Sequence, residues 1–224
     1  MRHELKYMIG KSDSVLLKSI LSRIMSFDPH YQNGLYTVSS LYFDDLSFAA
    51  YNDKLNGDSE REKFRIRLYN GDESYIVLEK KCKKKDFVNK YSFLMNKNDV
   101  LAAINGKRTE SDNELAKEFY AKTVSQGLRP VVTVEYERTA FVFPLGETRI
   151  TIDRNIRFSM DPESLFGGRD LFYPLPFSES DILEVKYNEN FPSFLTPVLS
   201  SVSAERIAYS KYAMAVSTIE GSNI

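Results

Sequence analysis

The chain has 224 residues, 42% of them hydrophobic and 13% aromatic, which suits one compact domain over residues 1–224 and excludes a disordered or stalk-like protein. Thirty Lys and Arg stand against 31 Asp and Glu, so a formal net charge of -1 gives no bulk argument for nucleic acid or membrane binding, and any polyanion site must arise locally. The single Cys82 cannot close an intramolecular disulfide, which points to a reducing, cytoplasmic home, and with only His3 and His30 it cannot build a Cys/His zinc site.

From the N-terminus, no apolar run is long enough for a signal peptide, and none later approaches the roughly 18 residues of a membrane span, so a protein without an intrinsic membrane segment is expected. Glu4 and Lys6 alternate with Leu5 and Tyr7 as in a strand with one wet face. A helix capped by Ser12 or Asp13 follows, with Leu16, Ile20 and Ile24 on one face, ending by the Asp28-Pro29 turn. Strand alternation returns with Phe64, Ile66 and Leu68 against Arg65, Arg67 and Tyr69, and again with Ile76 and Leu78 ahead of Glu79-Lys80-Lys81. Helices are predicted over 98–104 and 113–126, each preceded or opened by an Asn or Asp cap and followed by a glycine, Gly106 or Gly127. Val132, Val134, Tyr136 and Arg138 then share parity. Ile150 and Ile152 alternate with Arg149, Thr151 and Asp153, and Leu183 and Val185 with Glu184 and Lys186, before a last helix over about 204–219.

Alternation of this kind also describes an antiparallel sheet with one solvated face. The repeated choice of residues asks for more, because Glu-x-Lys recurs at Glu4/Lys6, Glu79/Lys81 and Glu184/Lys186, with Arg65-x-Arg67 between them. The expected fold is α+β: an antiparallel β-barrel tunnel with helices packed on its apolar outside, so that the charges line the lumen. Arg and Lys in such a lumen can hold a phosphate chain, Arg through its planar fork. Carboxylates beside them would repel the chain unless a divalent cation intervenes, so Glu184, and after it Glu4 or Glu79, are candidate ligands for Mg2+ or Mn2+; the plain alternative is that they pair with the lysines. The basic run Lys80, Lys81, Lys83, Lys84, Lys85 ends in a predicted hairpin tip, where it reads as a solvated tip or a funnel; no nucleic-acid motif accompanies it. A Walker loop, a kinase signature and a Gly-x-Ser-x-Gly elbow are all absent, so a bound nucleotide would be held by side chains.

The chain resembles the catalytic domain of vacuolar transporter chaperone (VTC) polyphosphate polymerases, a branch of the triphosphate tunnel metalloenzymes. The matching segments, in order, are 2–7 (Arg2 to Tyr7), Leu41-Tyr42-Phe43-Asp44, Phe64-Arg65-Ile66-Arg67, Leu78-Glu79-Lys80-Lys81, 136–141 (Tyr136 to Phe141), Ile150-Thr151-Ile152-Asp153, Leu183-Glu184-Val185-Lys186 and Tyr209-Ser210-Lys211-Tyr212. The resemblance implies ATP and polyphosphate as partners, with triphosphate or pyrophosphate also accepted, and transfer of the ATP γ-phosphate to a growing chain with release of ADP. It assigns Arg65, Arg67, Lys81 and Arg138 to catalysis. Lys6, Lys54, Lys90, Tyr136, Lys186, Ser210 and Lys211 would bind triphosphate or polyphosphate, and Glu184 a Mn2+ or Mg2+ ion. Unlike the eukaryotic relatives, the chain shows no inositol-phosphate-sensing region before the tunnel and no membrane segments after it, and so looks like the free-standing bacterial members. A triphosphatase of the same fold and a non-catalytic polyphosphate-binding module are the competing functions; a nucleic-acid-binding barrel ranks behind both.

Overall fold

The computed structural model describes residues 3–28, 34–85, 87–167, 172–176 and 179–221; Arg2, Pro29 and His30 lie outside them. In chain order the strands are β1 (His3–Gly10), β2 (Ser26–Phe27), β3 (Leu35–Asp44), β4 (Glu60–Tyr69), β5 (Ile76–Lys84), β6 (Phe87–Met95), β7 (Arg129–Phe143), β8 (Thr148–Ser159), β9 (Tyr173–Pro174), β10 (Ser180–Tyr187) and β11 (Ala204–Arg206). The helices are α1 (Lys11–Ile24), α2 (Ala49–Asn56), α3 (Lys97–Ile104), α4 (Glu114–Ser125), α5 (Leu195–Ser200) and α6 (Lys211–Gly221). No helix is long and apolar enough to cross a membrane among the described residues.

The architecture is the expected mix of antiparallel sheet and helices, with one correction. The hydrogen-bonded strand path runs β11-β1-β10-β8-β7-β3-β4-β5-β6, with β2 on β7 and β9 on β8, and among the described residues its two end strands are not paired, so the sheet does not close into a barrel. The chain divides into two compact units. The first comprises Met1–Thr37, Tyr136–Ile156 and Pro176–Tyr209, and the second Val38–Glu135, Arg157–Leu175 and Ser210–Ile224.

In the first unit, β1 pairs antiparallel with β10 and β10 with β8. The period of two sends Ile9, Ile150, Ile152, Leu183 and Val185 to one side, where Leu17 and Leu21 of α1 and Leu195 of α5 cover them. Each such side chain, fully buried, contributes about 1.5–3 kcal/mol. α1 starts straight from β1 with Gly10 as its cap and no side-chain cap bond, and its buried face is Ser14, Leu17 and Leu21. The expected stripe of Leu16 and Ile24 is exposed instead. Both sets recur at helical spacing, and the sheet accepts the one that follows from the helix starting at Lys11.

In the second unit, β3, β4, β5 and β6 form an antiparallel meander, apart from the α2 crossing between β3 and β4. Leu41, Phe43, Phe64, Ile66, Leu68 and Leu78 face α3 and α4. Phe119 of α4 meets Phe43 edge-on at 5.0 Å between ring centroids and Phe64 at 5.6 Å. Side-chain caps start both helices: Asn96 Oδ1 accepts from the Asp99 amide at 2.9 Å, and Asn113 Oδ1 from the amides of Leu115 and Ala116. The last helix starts later than its sequence pattern indicates, because 204–206 adds a short strand to β1 and only then does the chain turn into α6.

Candidate phosphate-binding faces

Opposite the helices, each unit presents a polar sheet face, and the two faces differ in charge. In the second unit the register sets Lys63 opposite Lys81, Arg65 opposite Glu79, and Lys81 opposite Lys90. Directly opposed residues share a face, so Lys63, Arg65, Arg67, Lys81 and Lys90 lie together around Glu79, and Asp44 of β3, which accepts from Tyr212, shares the parity of Ser40 and Tyr42. Arg61 and Lys83 extend the same row toward the β5–β6 hairpin, where Lys84 is exposed as expected of a tip. From β3, Ser40 stands opposite Arg67 and Tyr42 opposite Arg65.

Glu79 is 3% exposed and engages three cations: Arg65 Nε at 2.6 Å, Arg67 Nη1 at 3.8 Å, and Lys90. Burial alone would raise its pKa; Arg65 and Arg67 together with the Lys90 hydrogen bond outweigh burial and lower it to about 2. This carboxylate orients arginines, the ion-pair role rather than the metal one. Arg67 Nε donates to Ser40 Oγ at 3.0 Å, which fixes the second guanidinium. Lys80, adjacent in sequence, points to the helix side and pairs with Glu62 and Glu118, outside the polar row. Lys54 lies half-buried in the last turn of α2, and Ser210 and Lys211 sit at the start of α6, where Ser210 Oγ accepts from the Ala213 amide at 3.4 Å.

In the first unit the face is balanced. Lys6, Arg138, Arg149 and Lys186 meet Glu4, Asp28, Asp153 and Glu184. Arg138 donates from Nε and Nη2 to the two oxygens of Asp153 at 2.6 and 2.8 Å, lies 5.1 Å from the Tyr136 ring centroid, and approaches Glu184 at 3.9 Å. Burial would lower the Arg138 pKa, but Asp153 and Tyr136 hold it well above its ordinary value, so its charge is permanent. Glu184 lies 2.7 Å from Lys186 Nζ; burial would raise its pKa, and Lys186, Lys6 and Arg138 reverse that and hold it far below the usual carboxylate range. Lys6 donates to the Tyr209 carbonyl at 3.1 Å, and Arg149 to Asp28 at 2.8 Å and the Tyr36 hydroxyl at 3.1 Å.

A divalent cation finds a partial site here. No group of three His, Cys, Asp or Glu side chains is placed to hold one among the described residues. Thr151, directly opposite Glu184 on the same face, has the one buried side-chain oxygen without a hydrogen-bond partner among the described residues. An ionised Glu184 beside that hydroxyl is an all-oxygen donor set, which fits Mg2+ or Mn2+ held by one or two protein ligands with substrate phosphates completing the shell.

Sequence reasoning named Arg65, Arg67, Lys81 and Lys90, all on the second unit's face, and Lys6, Tyr136, Arg138, Glu184 and Lys186, all on the first unit's. Strand parity extended by one step from Arg65 would have added Lys63. Tyr42 and Ser40 carried no charge signal, and the pairing of Asp153 with Arg138 is a contact that alternation does not specify.

The model of the VTC domain family matches residues 1–220. The chain belongs to the VTC domain family. It is 26% identical, over an alignment 269 positions long, to vacuolar transporter chaperone complex subunit 4 of Schizosaccharomyces pombe, with 97% of this chain covered, and it spans 37% of that relative's length. Among solved structures, it matches a putative adenylyl cyclase from Hippeastrum described as having a dominant triphosphatase activity, with a TM-score of 0.57, 14% identity, and coverage of 97% of this chain and 96% of that one. A chain of the Schizosaccharomyces pombe Mediator head module matches with a TM-score of 0.52, 11% identity, and coverage of 92% and 100%. These likenesses are of fold. The VTC domain therefore has the triphosphate tunnel fold that the resemblance implied, while a Mediator chain on the same fold leaves function to the residues of the faces.

Proposed function

We propose that this VTC domain is a polyphosphate polymerase that transfers the γ-phosphate of ATP to the end of a polyphosphate chain. The observation that carries the reading is the second unit's polar face, where Lys63, Arg65, Arg67, Lys81 and Lys90 gather around Glu79 on three adjacent strands. A face with that concentration of fixed cations is matched by a polyanion with about one charge per phosphate, and two of its groups are guanidiniums suited to bidentate phosphate contact.

In the reaction, an oxygen of the chain's terminal phosphate forms a bond to the ATP γ-phosphorus while the bond from that phosphorus to the β–γ bridging oxygen breaks, and ADP leaves with that oxygen. Phosphoryl transfer needs little covalent help from a protein; positioning and neutralisation of the equatorial oxygens dominate. Arg65 and Arg67, oriented by Glu79 and Ser40, supply that neutralisation, and Lys81 and Lys90 hold the chain. Arg138, kept charged and aimed by Asp153, is the corresponding phosphate ligand of the first unit, with Lys6, Tyr136 and Lys186 around it. Lys54, Ser210 and Lys211 contribute further phosphate contacts. Glu184, with Thr151 beside it, would hold Mg2+ or Mn2+, which when bound supplies charge neutralisation at phosphate oxygens.

Incubation of the purified protein with ATP and Mn2+, with products resolved by length on a gel, tests this. Long phosphate chains with stoichiometric ADP are expected. Orthophosphate without chains would select the triphosphatase, and bound but unconsumed triphosphate a non-catalytic module.

A further inference from the structure

Asp44 ends β3 with its carboxylate buried, on the side of the strand that Ser40 and Tyr42 share. Among the described residues four donors converge on it. Oδ1 accepts from the amides of Asp45 at 2.9 Å and Ala50 at 3.0 Å, and Oδ2 from the Tyr51 amide at 3.1 Å and the Tyr212 hydroxyl at 2.5 Å. Ala50 and Tyr51 belong to the first turn of α2, whose own cap residue, Phe48, supplies no side-chain bond, so Asp44 does the capping from the strand before it. Tyr212 is the second residue of α6, directly after Lys211. Its ring stacks on Tyr42 at 5.2 Å between centroids, and the Tyr42 hydroxyl accepts from Arg65 Nη1 at 3.4 Å. Burial, and then Asp44, hold the Tyr212 phenol well above its ordinary pKa, so it stays a donor.

We propose that Asp44 and Tyr212 are positioning residues for phosphate binding: they latch the first turn of α6 to the end of β3 and so hold Lys211 at the Arg65 end of the second unit's polar face. The inference rests on the reading of that face, with Lys211, as a phosphate site. A carboxylate has about four lone-pair sites, and four protein donors already occupy those of Asp44, which makes it an alignment group and a poor metal ligand. A lysine whose helix turn is fixed in advance loses less freedom on meeting a phosphate than one on a loose helix end. The body of α6 has attachments of its own. The Tyr51 hydroxyl shares a hydrogen bond of 2.9 Å with Ser217 Oγ, and Ala213, Ala215 and Val216 are buried. Loss of the Tyr212 hydroxyl therefore loosens the first turn without undocking the helix.

Calorimetric affinity for inorganic tripolyphosphate, measured well below each variant's melting temperature, tests this. Tyr212→Phe keeps the ring on Tyr42 and the α2 cap but removes the latch, and should weaken binding about fivefold, the effect of freeing one side chain. Lys211→Ala should weaken binding by about tenfold or more, as expected for one charged hydrogen bond to phosphate. In the Lys211→Ala background Tyr212→Phe should then cost no further affinity, because the latch acts through that lysine; a purely structural role for Tyr212 would not produce this coupling. Tyr51→Phe removes a hydroxyl hydrogen bond from the same helix farther from its first turn, so it should lower the melting temperature and leave affinity unchanged. An unchanged affinity in Tyr212→Phe, an equal fold-loss with and without Lys211, or an equal loss in Tyr51→Phe overturns the latch and leaves the phosphate site standing. A Lys211→Ala variant that binds like wild type does the same. Absence of tripolyphosphate binding by the wild type overturns both.

Discussion

Asp153 takes both hydrogen bonds that Arg138 directs along its fork, so the guanidinium is oriented before any ligand arrives, as Arg65 is by Glu79. Such arginines lose little freedom on binding phosphate, and a charged hydrogen bond of this kind contributes roughly 1.5–3 kcal/mol. Arg65→Ala and Arg138→Ala should each lower kcat/KM for chain synthesis by at least about tenfold, since 1.36 kcal/mol of barrier is a factor of ten. Lys84→Ala, at the exposed hairpin tip, should change turnover little. Similar small losses at all three positions would move the chemistry away from these faces. Glu184→Gln keeps the shape of the ligand and removes its charge, so metal-dependent turnover should be abolished. Because the carboxylate also neutralises Lys186, Lys6 and Arg138, the melting temperature should fall. Near-normal turnover, measured below the variant's own melting temperature, would remove Glu184 from the reaction. Glu79 allows a test by pH. Its pKa is lowered on folding to about 2, so its contribution is present above the ordinary carboxylate range and lost as pH falls toward that value. Glu79→Gln should cost roughly 3 kcal/mol of stability near neutral pH and progressively less in acid, measured by denaturant unfolding across pH.

At the scale of elements, alternation was the legible signal. Leu5, Ile66, Leu68, Ile150, Leu183 and Val185 all fall on the helix-covered side, and the charged residues between them fall on the other. Less legible was whatever depends on phase or on partners far along the chain. α1 carries two apolar series, and its start at Lys11 selects Leu17 and Leu21 over Leu16 and Ile24. Residues 204–206 have no strand pattern of their own and become β11 because β1 offers an unpaired edge. The site followed the same division: charges on strands were readable, whereas the place of Tyr42, an uncharged ring in an apolar stretch, beside Lys63 and Arg65 follows from the β3–β4 register. The cap of α4 was local and legible, whereas α1 starts from Gly10 without the Ser12 or Asp13 cap its sequence suggests; the α4 cap is testable. Asn113→Ala removes the acceptor for the Leu115 and Ala116 amides and should cost about 1 kcal/mol. Phe119→Ala, which empties the space between Phe43 and Phe64, should cost about 3–5 kcal/mol. If thermal unfolding ranked the two in the opposite order, α4 would not be held by its buried face.

For the whole molecule, a net charge of -1 means that the long-range field does little to attract a polyanion, and capture depends on where the cations are placed. One polar face gathers five cations on adjacent strands and the other interleaves cations with carboxylates, while surface lysines such as Lys97 and Lys117 are paired locally with Glu73 at 2.7 Å and Glu114 at 3.0 Å. Exposed charges farther from a ligand than about 10 Å are screened at 0.1 M salt, whereas partly buried ones in contact with it are not. Affinity for a long polyphosphate should therefore fall with added salt through the cations displaced on the second unit's face, and each such cation removed should flatten the dependence. Measured as the slope of log affinity against log salt, Arg67→Ala should reduce the slope by about one contact, by analogy with phosphate neutralisation on nucleic acids. Lys97→Ala should leave the slope unchanged, because its charge is paired and lies outside the face. Equal reductions for both variants would mean that polyphosphate is held by the surface at large, and the charge asymmetry of the two faces would then have no bearing on binding.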